Sequence, residues 1–108
     1  MTDLTKKKCA PCEGGVVPMS DEQVEQNLSD VADWTHEDGH LVRTFTFRNY
    51  YETMAFVNAL AWVAHREDHH PDIEVGYKTC AVRYRTHSID GISDNDFICA
   101  AKINALLE

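Results

Sequence analysis

The sequence lacks any hydrophobic run long enough to cross a membrane. Its longest apolar stretch, from Ala59 to Ala64, is much shorter than the roughly 18–20 residues that a membrane-spanning helix needs. The amino terminus carries Lys6, Lys7 and Lys8 but no apolar stretch typical of a signal peptide. We therefore expect a cytoplasmic protein with no membrane partner.

Basic residues are also few, with 10 Lys and Arg against 18 Asp and Glu and a formal net charge of -8. An acidic surface repels phosphates, so we expect no nucleic-acid partner. A length of 108 residues with 44% hydrophobic and 26% charged residues is typical of a single globular domain. We expect residues 1–18, which contain Pro11, Gly14 and Pro18, to be an irregular tail, and residues 19–108 to form the domain.

Four cysteines are too few for a disulfide framework in a chain with this much core. Cys9 and Cys12 form a Cys-x-x-Cys pair that could hold a metal or cycle between redox states. Structural zinc usually takes two such pairs, and no βαβ pattern surrounds Cys9, so a mobile tail is the simpler interpretation. Cys80 and Cys99 lie in periodic segments, where we expect them to be part of the core.

Capping residues predict where three helices begin. Ser20 and Ser93 start capping boxes that Gln23 and Asp96 complete, and Asn49 caps a long helix between them. The first helix is predicted to run to about residue 31. The long helix is predicted to end near residue 69, because a proline at position 71 cannot continue it.

Alternating apolar residues predict four strands, one near Trp34 and the others over residues 40–48, 73–77 and 79–86. The dipeptide Asp38-Gly39 indicates a tight hairpin between the first two. The predicted order is α-β-β-α-β-β-α. We therefore expect an α+β domain in which a four-stranded, mainly antiparallel sheet carries three helices on one face.

Residues able to transfer protons gather near the ends of the long helix and the last strand: His65, Asp68, His69, His70 and His87. Imidazole titrates near neutral pH, so the pair at positions 69 and 70 concentrates proton-transfer capacity at one point. Residues 65 and 69 share a helix face. His87 comes close to this pair if the last strand ends where the helix ends.

Three interpretations of this cluster remain open from the residues alone. The histidines could be solvated residues at a helix terminus, where a positive charge is favourable. His65 and His69 could ligate a metal with Asp68 or His87 as a third ligand, although a metalloprotease helix needs glutamate where Arg66 stands. They could also serve metal-free general acid–base catalysis, which typically contributes about 10² to 10⁴ in rate.

The cluster belongs to a longer pattern, His65-x-x-x-His69-His70-Pro71 followed by Tyr77, His87 and Asp96. The segments 47–50, 55–58, 71–73, 86–88 and 91–93 support it. From Ser20 to Leu107 the sequence resembles the pterin-4a-carbinolamine dehydratases. One departure is His65, which stands where the family often has glutamate.

The resemblance implies a hydro-lyase without cofactor or metal. It would dehydrate 4a-hydroxytetrahydropterin to quinonoid dihydropterin and water, recycling the pterin cofactor of aromatic amino acid hydroxylation. The family's motif histidines fall on His69, His70 and His87, and the resemblance implies that these are the catalytic residues. We expect His70 and His87 to share the acid and base roles while His69 binds and orients the substrate. His65, Asp68 and Asp96 are the implied substrate-binding residues, although Asp96 also has a capping role.

The resemblance further implies a homodimer or homotetramer, with an unpaired sheet edge as a place for subunits to join. Two other roles stay open. The protein could act in another pathway such as molybdopterin metabolism, a possibility that His65 supports. It could also be a protein-binding dimerisation cofactor, as some relatives are for a homeodomain transcription factor.

Overall fold

The computed structural model describes residues 3–11 and 16–108. None of the helices in these two ranges is long and apolar enough to cross a membrane, and the cytoplasmic location stays a prediction. The helices are α1 (Asp21–Asn27), α2 (Tyr50–Glu67) and α3 (Asp94–Ala105), and the strands are β1 (Thr35–Glu37), β2 (His40–Thr46), β3 (Asp72–Val75) and β4 (Thr79–Tyr84). Short 3-10 turns occupy Leu4–Lys6, Leu28–Asp30 and His87–Ile89.

The four strands form one antiparallel sheet in the order β1-β2-β4-β3. Leu41 pairs with Tyr84 and Phe45 pairs with Cys80, and all four side chains are buried under the helices. The opposite face carries exposed polar residues such as Thr44. This arrangement confirms the predicted α+β class, with helices packed on the apolar face of the sheet.

The helix starts are those that the capping residues predicted. Ser20 accepts a hydrogen bond from the backbone N–H of Gln23, whose side chain bonds back to the N–H of Ser20. Ser93 and Asp96 form the same kind of capping box at α3. Asn49 accepts from the N–H of residue 52 at the start of α2. These local contacts satisfy donors that the first helical turn leaves unpaired.

The ends of the elements differ from the predicted ones. Strands β2, β3 and β4 each stop two residues earlier than predicted, at Thr46, Val75 and Tyr84. The β3–β4 hairpin closes early because the N–H of Gly76 donates to the carbonyl of Thr79. Helix α1 gives way to a 3-10 turn at residues 28–30 instead of continuing to residue 31.

Helix α2 ends at Glu67, before the proline that was expected to stop it. Asp68 takes the left-handed conformation with φ 51°, and the N–H of His69 bonds to the carbonyl of Ala64 across this reversal. Helices commonly end on such a left-handed residue. The reversal directs His69 toward α3 and leaves His70 exposed.

The N-terminal segment, residues 8–11, lies against the ends of α2 and α3. The N–H of Cys9 donates to Oε1 of Glu67 at 2.8 Å. Ala10 and Asn95 exchange two hydrogen bonds between the backbone of one and the amide of the other, at 3.0 and 2.6 Å. Part of the expected irregular tail is therefore bound to the domain.

The cysteines divide between the core and this segment. Cys80 and Cys99 are fully buried, as predicted. Cys9 is half-buried. Cys12 lies outside the described residues, so the predicted Cys-x-x-Cys pair stays a prediction.

Candidate active site

Asp96 is the buried centre of a hydrogen-bonded network that joins α3 to the segments that follow α2 and β4. Its side chain is fully inaccessible to solvent. Its Oδ1 lies 2.6 Å from Nε2 of His69. Its Oδ2 accepts from the Thr86 hydroxyl at 2.9 Å and from the Ser93 N–H at 3.0 Å. One carboxylate therefore both caps α3 and orients His69.

Tyr84 holds His69 from a second direction. The two rings are stacked, with centroids 5.2 Å apart and planes inclined by 22°. The Tyr84 hydroxyl donates to the backbone carbonyl of His69 at 3.1 Å. Contacts to ring, backbone and Nε2 fix the orientation of this imidazole, and only 13% of its side chain is exposed.

The contact with Asp96 also sets the charge preference of His69. Burial of the ring opposes its charged form, but the hydrogen bond to Asp96 and the charges of Asp96 and Asp68 outweigh this effect. The pKa of His69 is therefore raised above the ordinary value of 6.5. The Asp96 carboxylate thus stabilises the protonated form of this imidazole, in which both ring nitrogens are hydrogen-bond donors.

A cavity of about 350 Å³ lies on the α2 side of His69. Its walls bring together four of the residues singled out in the sequence: His65, Asp68, His69 and His70. His70 is exposed, with Nδ1 3.3 Å from the carbonyl of Pro71. His65 is also exposed, and its ring lies 5.4 Å from that of Trp62. Leu60, Ala64 and Ile73 make the rest of this cavity largely apolar.

A second cavity of about 260 Å³ shares Asp68 and His69 as walls. Its other walls are more polar and include Thr86, Ser88 and Asn95, together with the N-terminal segment. A larger cavity of about 430 Å³, between the Leu4–Lys6 turn and the end of α3, contains none of the predicted site residues.

His87 begins the 3-10 turn that follows β4. It is exposed, and it lines neither of the two cavities beside His69. Its neighbours Thr86 and Ser88 both line the polar cavity, and Thr86 is bonded to Asp96. The structure thus groups five of the six predicted site residues directly and places His87 on the adjoining turn.

No three His, Cys, Asp or Glu side chains in residues 3–11 and 16–108 are grouped so that they could hold a metal ion. Nε2 of His69 faces Asp96. The metal interpretation of the histidine cluster therefore finds no donor set in these ranges.

Several contributors to the site did not emerge from the sequence. Tyr84 was predicted only as one residue of the strand 79–86. A buried tyrosine hydroxyl needs a hydrogen-bond partner, and this requirement was an available signal. Thr86 was noted only as part of a motif segment. Nothing in the sequence links Ala10 to Asn95, because their contact depends on how the chain folds back.

Comparison with known proteins identifies the family of this chain. The sequence profile described as "Pterin 4 alpha carbinolamine dehydratase" matches residues 17–106. A protein of Nitrosomonas europaea, whose name provisionally assigns it as a pterin-4-alpha-carbinolamine dehydratase, is 58% identical over 107 residues. That match covers 98% of this chain and 95% of the relative.

Two solved structures resemble the fold. One is a transcriptional coactivator/pterin dehydratase from Brucella melitensis, with a TM-score of 0.80 and 26% identity, covering 84% of this chain and 99% of that one. The other is a pterin dehydratase-like protein identified as a RuBisCO assembly factor in the alpha-carboxysome. It has a TM-score of 0.57 and 24% identity, covers 68% of this chain and 84% of its own, and shares the fold alone. On its sequence match and its fold, the chain belongs to the pterin 4 alpha carbinolamine dehydratase family.

Proposed function

We propose that this protein is a hydro-lyase that converts 4a-hydroxytetrahydropterin to quinonoid dihydropterin and water, and so recycles a pterin cofactor. The observation that carries the proposal is the fixed His69, held by Asp96 and Tyr84 between two cavities and followed by the exposed His70. Family membership supplies the substrate class.

The reaction needs one acid and one base. The bond between carbon 4a and its hydroxyl breaks, and the acid protonates the hydroxyl so that it leaves as water. The base removes the proton of nitrogen 5, and the electrons of that N–H bond form the new double bond to carbon 4a. One proton is donated and one is accepted, so a pair of imidazoles suits the step near neutral pH.

We assign the two proton transfers to His70 and His87. His70 is exposed on the wall of the apolar cavity. His87 is exposed between two residues that line the polar cavity. His69 lines both cavities, and its pKa is raised. In this proposal it binds and orients the pterin as a hydrogen-bond donor.

Asp96, Asp68 and His65 support substrate binding in different ways. Asp96 is fully buried and acts through His69, so it is a positioning residue rather than a direct substrate contact. Asp68 borders both cavities, where its carboxylate can accept hydrogen bonds from a pterin. His65 lines the apolar cavity beside Trp62 and changes the charge of a position that is often glutamate in the family.

Assembly into a homodimer or homotetramer is part of the proposal. Strand β3 lies at one edge of the sheet, with Ile73 39% exposed and Val75 40% exposed. An edge strand with unpaired backbone groups and apolar side chains is suited to pairing with a second copy. Light scattering after size exclusion should give a mass of two or four chains. A mass of one chain at micromolar concentration would contradict this assembly.

Turnover tests the activity directly. The 4a-hydroxytetrahydropterin is generated by a hydroxylase, and quinonoid formation is followed by absorbance. The wild-type protein should accelerate the reaction over its uncatalysed rate, and His70→Ala and His87→Ala should each remove most of the gain. His40→Ala, in the β1–β2 hairpin and on neither cavity, is the matched control. No acceleration by the wild type would overturn the enzymatic proposal.

A further inference from the structure

Two cysteines from distant parts of the chain meet behind the candidate site. The sulfurs of Cys9 and Cys99 are 3.6 Å apart. Cys99 is fully buried on α3, one turn after Asp96, and its sulfur lies 3.9 Å from the carbonyl of His69. Cys9 lies in the N-terminal segment, outside the residues 17–106 that match the family profile.

We propose that Cys9 and Cys99 are a site of reversible disulfide formation, which covalently fastens the N-terminal segment over the polar cavity beside His69. This bond would set the position of one wall of that cavity, since residues 8–11 line it together with Asp68 and His69. The two thiols can form this bond whatever molecule the cavity binds.

Noncovalent contacts already align the two thiols. The N–H of Cys9 is bound by Glu67, which is itself paired with Lys102 of α3 at 2.8 Å. The two bonds between Ala10 and Asn95 hold the next residue of the segment against the first turn of α3. A disulfide has an S–S distance of about 2.0 Å, so the segment must approach α3 by about 1.5 Å.

The local electrostatics favour sharing of one proton between the sulfurs. The hydrogen bond from Cys9 lowers the pKa of Cys99, and the same hydrogen bond together with burial raises the pKa of Cys9. Loss of a single proton therefore leaves the anion on Cys99, with the Cys9 thiol donating a hydrogen bond to it. Cys9 is the partner that solvent can reach, so reaction with an oxidant begins there.

A small disulfide such as oxidised glutathione can serve as the oxidant. The Cys9 sulfur attacks one of the glutathione sulfurs as its proton passes to the Cys99 thiolate, which forms a mixed disulfide and releases one glutathione thiolate. The released glutathione takes up the proton from Cys99 by way of solvent. The Cys99 thiolate then attacks the Cys9 sulfur and displaces the second glutathione. The two thiol hydrogens of the protein end on two glutathione molecules, so the protein is oxidised by two electrons and glutathione disulfide is reduced by two.

Peptide mapping tests this connectivity. The protein is equilibrated with oxidised glutathione, alkylated with iodoacetamide, unfolded, alkylated again and digested with trypsin. Cleavage after Lys8, Arg43, Arg85 and Lys102 gives peptides 9–43 and 86–102. We expect these two peptides to be joined, with a mass two hydrogens below the sum of peptide 86–102 and peptide 9–43 alkylated at Cys12. Cys80 is the one cysteine of peptide 79–83, and it should carry the alkyl group in both the oxidised and the reduced samples.

Serine variants identify the partner within peptide 9–43, which also contains Cys12. Cys12→Ser should retain the link to peptide 86–102, and Cys9→Ser should abolish it. A link retained in Cys9→Ser, a bond confined to peptide 9–43, or no link in the wild type under excess oxidant would each overturn the proposal.

Thermal unfolding provides a second measurement. The bond would close a loop of about 90 residues, and loops of this size restrict the unfolded chain strongly. The oxidised wild type should therefore melt at least roughly 5 °C above the reduced protein. Cys9→Ser should show no such difference between oxidising and reducing buffers. Equal melting temperatures for the oxidised and reduced wild type would contradict a bond between these positions.

Discussion

His69 and His70 are adjacent in sequence, but the fold gives them opposite environments. His69 belongs to a buried network with Tyr84, Thr86, Ser93 and Asp96. His70 belongs to a group of exposed imidazoles with His65 and His87. The left-handed Asp68 ends α2 directly before the two histidines, so both lie outside the helix.

The comparison indicates a division of labour between two kinds of histidine. The buried network fixes one imidazole in position and favours its charged form. The exposed imidazoles have few contacts to lose, so they contribute little to folding and can exchange protons with a substrate. Substitutions in the two regions should therefore separate stability from catalysis.

The largest expected effect is on catalysis. His70→Ala should lower kcat by about 10²-fold or more, because positioned acid–base groups typically contribute 10² to 10⁴. The free energy of unfolding should change by less than about 0.5 kcal/mol, as is usual for an exposed residue. Turnover and urea unfolding are measured on the same preparation, with His40→Ala as control. A large loss of stability with unchanged kcat would show that His70 serves the fold rather than catalysis.

Asp96→Ala should show the largest effect on stability. Removal of its carboxylate leaves the Ser93 N–H, the Thr86 hydroxyl and Nε2 of His69 without their acceptor. Unsatisfied buried groups cost about 1–3 kcal/mol each, so we expect a loss of about 3 kcal/mol or more in urea unfolding.

The conservative variant Asp96→Asn separates structure from positioning. It keeps one acceptor oxygen and the side-chain volume, so its stability should lie between those of the wild type and Asp96→Ala. Because the carboxylate raises the pKa of His69, the variant should also shift the pH profile of kcat/KM. A profile identical to that of the wild type would show that Asp96 serves the fold alone.

The local geometry was predictable from the sequence where the contacts join residues close together in the chain. The capping boxes at Ser20 and Ser93 involve residues three apart, and residues 65–70 are neighbours along one helix end. The pairing of His69 with Asp96 joins residues 27 apart and depends on how α2 packs on α3. The end of α2 was misplaced because Pro71 is a visible stop signal, whereas a left-handed aspartate has no reliable sequence signature.

Matched leucine substitutions should show which of the two cavities beside His69 holds the polar edge of the substrate. Ala61 lines the apolar cavity and Ser88 lines the polar one, and both are exposed. A pterin has a polar edge that needs hydrogen-bonding partners. We therefore expect Ser88→Leu to raise KM several-fold and Ala61→Leu to raise it less, with kcat and melting temperature as controls. The reverse order would place that polar edge in the apolar cavity.

Tyr84→Phe should have a smaller effect on activity than the two leucine substitutions. It removes the hydroxyl that donates to the carbonyl of His69 and keeps the stacked ring. The loss of one hydrogen bond should lower the free energy of unfolding by about 1 kcal/mol. Because Asp96 still orients the imidazole, kcat should fall by less than about fivefold. A much larger loss of activity would show that the backbone contact, rather than Asp96, orients His69.

The smallest effect concerns pH. The pKa of His69 is raised in the folded protein, so its charge stabilises the fold fully below about pH 6.5 and this contribution disappears as pH rises through the folded pKa. His69→Gln removes the charge and keeps an N–H donor for Asp96. The stability advantage of wild type over His69→Gln, measured by urea unfolding, should therefore be larger at pH 6 than at pH 8. The change is small because neutral His69 still donates its Nε2 hydrogen to Asp96. A stability advantage that grew with pH would show that burial, rather than the carboxylate, has the larger effect on the pKa of His69.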